Sequence, residues 1–160
     1  MRHKNVLPLC ALIMSLSAVV EASDAMMFNQ KNLYGHWNCQ HAMADSNTQM
    51  KIDYSINYLA NGQSNGSGTL LLKLPNFPEM EYGVSNRSTW KVINGSLILS
   101  STELKLVNRS HPELDSILNL ESMIPQKNQE SSTIIELTPS KLIARSDAYG
   151  GVYSCAKVKG

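Results

Sequence analysis

The nine residues MKIDYSINY, positions 50–58, alternate between apolar and polar without a break. Only a β-strand, whose successive side chains point to opposite faces, sorts such a run into two clean sides. Met50, Ile52, Tyr54, Ile56 and Tyr58 share a face that has to be buried, while Lys51, Asp53, Ser55 and Asn57 share one that faces water. A single strand cannot bury a face by itself, so this run commits the chain to a sheet that packs against itself or against other elements.

The rest of the chain supplies such a sheet. A strand near Trp37 precedes the run. Asn61-Gly62 follows it as a two-residue hairpin signal, and residues 66–74 form the next strand, with Gly66 and Gly68 marking a bend. Pro75 and Pro78 interrupt the pattern. Residues 82–93 resume it with Val84, Trp90 and Val92 on one face, and Asn94-Gly95 turns the chain into a strand over 97–107. Ser110 and Glu113 have capping-box spacing, which predicts one helix over 110–123 with Leu114, Ile117 and Leu118 along its apolar stripe and Pro125 as its stop. Residues 126–132 are polar throughout and read as an exposed loop. Three strands close the chain at 133–137, 142–145 and 152–158. Eight strands joined mainly by hairpins, with no βαβ alternation, predict an all-β fold, and an eight-stranded antiparallel barrel with one short helix is preferred over a sandwich.

The N-terminus constrains the compartment. Arg2 and Lys4 precede an apolar stretch over 6–20, and small residues follow at Val20-Glu21-Ala22 and Ser23-Asp24-Ala25. This is the layout of a secretory signal peptide over residues 1–22, cut after Ala22 or alternatively after Ala25. The apolar run falls short of the roughly 20 residues that a membrane span needs, which disfavours a retained anchor. Cys10 lies too early for lipid attachment. Residues 23–34 then read as a loose lead-in and 35–160 as the barrel domain. Removing residues 1–22 takes Arg2, Lys4 and Glu21 from 14 basic and 13 acidic residues, leaving 12 of each, scattered along the chain. Nucleic acid and anionic membrane surfaces both require clustered cations, so neither is expected as a partner, and no stable membrane insertion is expected after signal cleavage.

His36, Cys39 and His41 crowd into six positions and invite a metal reading. On a strand, however, Trp37, Cys39 and His41 point one way and His36 the other. His111 is the one other histidine of the exported part, and it sits at the predicted helix start. The exported part keeps two cysteines, and an even count in an oxidising compartment reads as a disulfide. Closing the barrel brings the first and last strands together, which places Cys39 beside Cys155. No metal and no cofactor is expected. Gly-x-Ser-x-Gly, phosphate-loop and His-Glu-x-x-His patterns are all missing, so no catalytic residue is assigned and no enzyme is expected. Four Asn-x-Ser sequons, at Asn65, Asn86, Asn94 and Asn108, are read as turn chemistry rather than glycan sites, with Asn65 and Asn94 also fitting Asn-Gly turns.

Gly35-His36-Trp37-Asn38-Cys39, Asn61-Gly62, and Thr89-Trp90-Lys91-Val92 leading to Leu97 resemble the small exported lipocalin-like proteins of bacteria. The chain departs from the animal lipocalin pattern in lacking an identifiable arginine to pack on the first-strand tryptophan. The resemblance implies a monomeric periplasmic barrel that binds without doing chemistry. The small hydrophobic ligand it implies would be lined by Trp37, Met50, Ile52, Tyr54, Ile56, Tyr58, Val84 and Trp90 and reached past residues 75–81. Two readings stay open for the tryptophans, as pocket floor or as plugs of the barrel end, and two for the barrel, hollow or filled. A filled barrel would instead serve an envelope protein, by analogy a membrane-bound regulator of the ToxR kind.

Overall fold

The computed structural model describes residues 28–124, 127–148 and 150–159; the signal segment with its cleavage positions, and Pro125, lie outside them. Eight strands form one closed antiparallel barrel in sequence order: β1 (Gly35–Ala44), β2 (Gln49–Tyr58), β3 (Gln63–Lys73), β4 (Glu79–Ile93), β5 (Ser96–Asn108), β6 (Gln129–Leu137), β7 (Lys141–Ser146) and β8 (Val152–Lys157). Each strand pairs with its neighbour, and β8 returns to β1 through the register Trp37↔Lys157 to Gln40↔Ser154. The expected architecture is therefore the observed one.

The alternation of residues 50–58 sets β2 as read: Ile56 and Tyr58 are buried, Met50, Ile52 and Tyr54 turn inward beside them, and Lys51 and Ser55 are exposed. Two other strands change phase part-way. In β5 the ladder runs Ser88↔Ser101 and then Arg87↔Glu103, so Thr102 is an extra residue. This bulge lets Leu97 and Leu99 face inward before it, and Leu104 and Leu106 after it. In β6, Ile135 is skipped in the same way between Ile134↔Ala144 and Glu136↔Ile143.

The Asn94-Gly95 turn is a two-residue hairpin, with Ile93 paired to Ser96 and both turn residues at positive φ, 50° and 77°. That is the backbone demanded by the turn that suits twisted strands. The Asn61-Gly62 turn is longer than expected. Strand β2 stops at Tyr58, so the loop spans residues 59–62, closed by the Leu59 amide donating to the Gln63 carbonyl. Asn65 is not in a turn, because it sits in β3 between Asn57 and Arg87.

The expected helix over 110–123 is shorter and broken. A 3₁₀ segment, Pro112–Ser116, precedes a four-residue helix, α1 (Leu120–Met123). Ser110 does not cap it, since its hydroxyl accepts from the Glu81 amide. The Asn108 side chain instead accepts from the His111 amide and donates to the His111 carbonyl and to Asp115. Leu114 and Leu118 still pack inward, but Ile117 is 73% exposed.

Two clusters fill opposite ends of the barrel. At the end holding the chain start, Leu33, Trp37, Tyr58, Trp90, Leu97 and Leu142 pack together. At the other, Leu70, Leu72, Met80, Tyr82 and Leu106 pack under the 110–124 segment. The lead-in is not loose where it meets the barrel. Gln30–Leu33 form a 3₁₀ turn, Leu33 is fully buried, and the Trp37 indole donates to its carbonyl over 2.7 Å.

Candidate ligand cavity

Between the two clusters lies a cavity of about 300 Å³. This is at the small end of the range for ligand sites. Strand β2 supplies its longest wall through Met50, Ile52, Tyr54, Ile56 and Tyr58, and β4 adds Val84 and Asn86. Leu99 and Leu104 of β5 complete the apolar part.

Of the residues named from sequence, these six of β2 and β4 come together on the wall: Met50, Ile52, Tyr54, Ile56, Tyr58 and Val84. Trp37 and Trp90 do not belong to it, which corrects the pocket-floor reading. Both close the barrel end beneath. Trp90 donates from its indole to the carbonyls of Leu59 and Gln63, fixing the β2–β3 loop across the end, and Tyr58 and Tyr34 pack edge-on against it at 5.5 and 5.9 Å. A lysine packs on the first-strand tryptophan here as well. Lys157 of β8 lies 4.9 Å from the Trp37 ring centre and donates to the Asn32 carbonyl over 2.8 Å, tying the last strand to the lead-in. Phe77 and Met80 pack into the cluster under the helical segment, while the cavity wall continues on the other side through Glu130, Ser132, Ser146 and Tyr153.

Polar groups within the wall are placed by the glycines of β3. A Cβ at Gly66 would collide with the Tyr54 ring and hydroxyl, and one at Gly68 would collide with the Asp53 carbonyl oxygen and the Tyr54 backbone before crowding the ring. The Tyr54 ring therefore lies flat across β3, and its hydroxyl reaches two strands away to donate to the Asn86 carbonyl oxygen. Asn86 passes its own amide to the Ser88 hydroxyl over 3.3 Å. Burial pushes the Tyr54 phenol well above the ordinary tyrosine range, with the Glu130 charge adding to it. Tyr58, wholly enclosed, is raised by burial first and then by neighbouring Tyr153 and Tyr54. Tyr153 is raised chiefly by burial, and Glu130 again contributes. These phenols stay protonated and act as donors and ring faces, not as bases. The neighbouring Ser101 hydroxyl is buried with no hydrogen-bond partner among the described residues.

Cys39 and Cys155 form the disulfide, facing each other directly across β1 and β8 with Cα atoms 4.0 Å apart. Cys39 lines the cavity, as does His41, whose ring Nδ1 is 3.3 Å from the Val152 carbonyl and packs edge-on to Tyr153. His36 is exposed on the opposite face of β1, and His111 pairs with Glu113 at 3.0 Å. Among the described residues, no three His, Cys, Asp or Glu side chains gather where they could hold a metal ion. Two sequons are closed to glycans, since Asn86 faces the barrel interior and Asn108 is buried.

Sequence reasoning missed Glu130, Ser132, Ser146, Tyr153, Asn86 and Leu104 as wall residues. Glu130 and Ser132 lay in the stretch read as a loop, yet they belong to β6, paired with Leu99 and Leu97. The inward and outward residues there are all polar, so no alternation marks the strand. Leu104 carried a usable signal: Leu97 and Leu99 are odd, Leu104 and Leu106 even, and a change of parity within one strand implies a bulge.

No protein-family model matches the chain, and no curated protein matches its sequence.

Proposed function

We propose that this protein is an exported, non-enzymatic binding protein of the bacterial envelope, held in the periplasm, that encloses a small hydrophobic molecule in its barrel. The observation that carries the reading is a cavity of about 300 Å³ left between two packed clusters and walled largely by aliphatic and tyrosine side chains. A barrel built only to be a rigid surface would fill this space, because unfilled volume of that size weakens a core. Export is supported by the signal-like N-terminus and by a disulfide that persists in oxidising compartments. The outward residues of β2, Lys51, Asp53, Ser55 and Asn57, are polar, which suits a barrel surrounded by water rather than lipid.

The test is a titration of the purified chain with octan-1-ol, followed by amide NMR. Saturable shifts centred on Val84, Leu99 and Leu104, lost on Leu104→Trp, are expected. Absence of any saturable shift in a folded protein sinks the reading.

One observation favours a second reading, docking of an envelope protein such as a ToxR-type regulator. Val107 on β5 and Ile117 and Met123 on the helical segment beside it are 60%, 73% and 68% exposed. Cross-linking to a candidate partner that Ile117→Asp and Met123→Asp abolish would favour it over the ligand reading.

A further inference from the structure

The charge of the cavity wall narrows what the cavity can hold. Glu130 is the one carboxylate on it, and among the described residues neither lysine nor arginine lines it. A fatty acid or any other anionic amphiphile would therefore meet a like charge, and the one wall side chain able to carry a positive charge is His41, whose ring is engaged with the Val152 carbonyl and Tyr153. Like charges brought together repel, so the wall selects against anions.

The same wall offers a cation three things. Tyr54 lies flat against β3 because Gly66 and Gly68 leave room beneath it, so the other face of its ring is turned to the interior. Tyr153 of β8 and Glu130 of β6 line the same cavity as Tyr54, and the Glu130 charge adds to the raised pKa of both phenols. A tyrosine face with a carboxylate beside it attracts an ammonium group through the ring quadrupole and through direct charge pairing. Below this, Ile52, Ile56, Val84 and Leu104 offer only hydrocarbon.

Resting on the cavity being a ligand site, we propose that its ligand class is a small hydrophobic amine, with its chain between β2 and β5 and its ammonium head at Tyr54, Tyr153 and Glu130. The cavity volume corresponds to roughly ten heavy atoms, taking about 30 Å³ for each water-sized group. That is the size of an eight-carbon chain with a polar head.

The experiment compares octylamine, octan-1-ol and octanoate against the folded full barrel by calorimetry, at pH 8 and low salt. Octylamine binds about tenfold tighter than octan-1-ol, from one cation–π contact and one partly exposed charge pair, and octanoate binds weakest. Glu130→Gln brings the octylamine-to-octanol affinity ratio down severalfold, and added salt lowers it in the wild type. Thermal unfolding of Glu130→Gln, an exposed position, confirms that the variant is folded. If octanol binds and octylamine has no advantage, or if the advantage survives Glu130→Gln, the amine inference is overturned while the ligand reading stands. If none of the three binds, both fall together.

Discussion

Tyr54 shows how one residue's position depends on two that lack side chains. Its ring occupies the space that a Cβ at Gly66 would take and its edge crowds that at Gly68, and its hydroxyl reaches Asn86 from that position. Gly66→Ala should push the ring off β3 and break the bond to Asn86, at about 1–3 kcal/mol by the usual cost of overpacking. Urea denaturation measures it. Tyr54→Phe keeps the ring but leaves the Asn86 oxygen unpaired, for about 1–3 kcal/mol, while the Asn86–Ser88 bond survives. Unchanged stability in both variants would remove the glycine argument. Lys157 is a second residue whose role is local. Lys157→Met loses the contact with Trp37 and the bond to the Asn32 carbonyl, and about 1–2 kcal/mol of stability is expected to go with them.

At the scale of elements, β1 and β8 are joined over only four register pairs, Trp37↔Lys157 to Gln40↔Ser154, and the disulfide sits among them. It joins residues 116 positions apart. Loop-entropy reasoning puts such a link at roughly 4–5 kcal/mol, and measured values for natural disulfides run about 2–5. Replacing both Cys39 and Cys155 by serine should lower the thermal midpoint accordingly, and the short β1–β8 seam should lose amide protection first. Hydrogen exchange resolves that order. The exported chain, unfolded without reductant, should titrate no free thiol; two or more would refute the disulfide, and one would report that Cys10 remains attached.

For the molecule as a whole, closure of the barrel encloses tyrosines that a flat sheet would leave wet. Tyr58 is 3% exposed, and burial holds its pKa well above the ordinary value near 10. In the unfolded chain the phenol ionises near pH 10, whereas the folded chain keeps its proton. The native state thus binds the extra proton above pH 10, and stability falls as pH rises from there, by about 1.4 kcal/mol per pH unit for each such tyrosine. Below pH 10 this contribution is fully present. Urea midpoints taken from pH 8 to 11 should bend downward near pH 10, and Tyr58→Phe should make the bend shallower.

What the sequence determined by itself was set by local period and turn chemistry. The alternation of residues 50–58 specified a two-faced strand, Asn94-Gly95 specified a two-residue turn, and hairpin after hairpin specified a barrel whose ends meet at Cys39 and Cys155. These are short-range constraints, and each is written in neighbouring residues. The rest was decided only when distant segments were brought together. Glu130 and Ser132 became wall residues because β6 pairs with β5, although nothing in their own polar stretch says strand. Thr102 became a bulge because the β4–β5 register has to keep both Leu99 and Leu104 inward. Lys157 came to lie on Trp37 across the closing seam, 120 positions away in sequence, and the two tryptophans became plugs because both pack into the buried cluster at that end of the barrel. Whether the interior holds a cavity depends on side-chain volumes from eight strands summed around a closed ring, and no local stretch of sequence carries that sum.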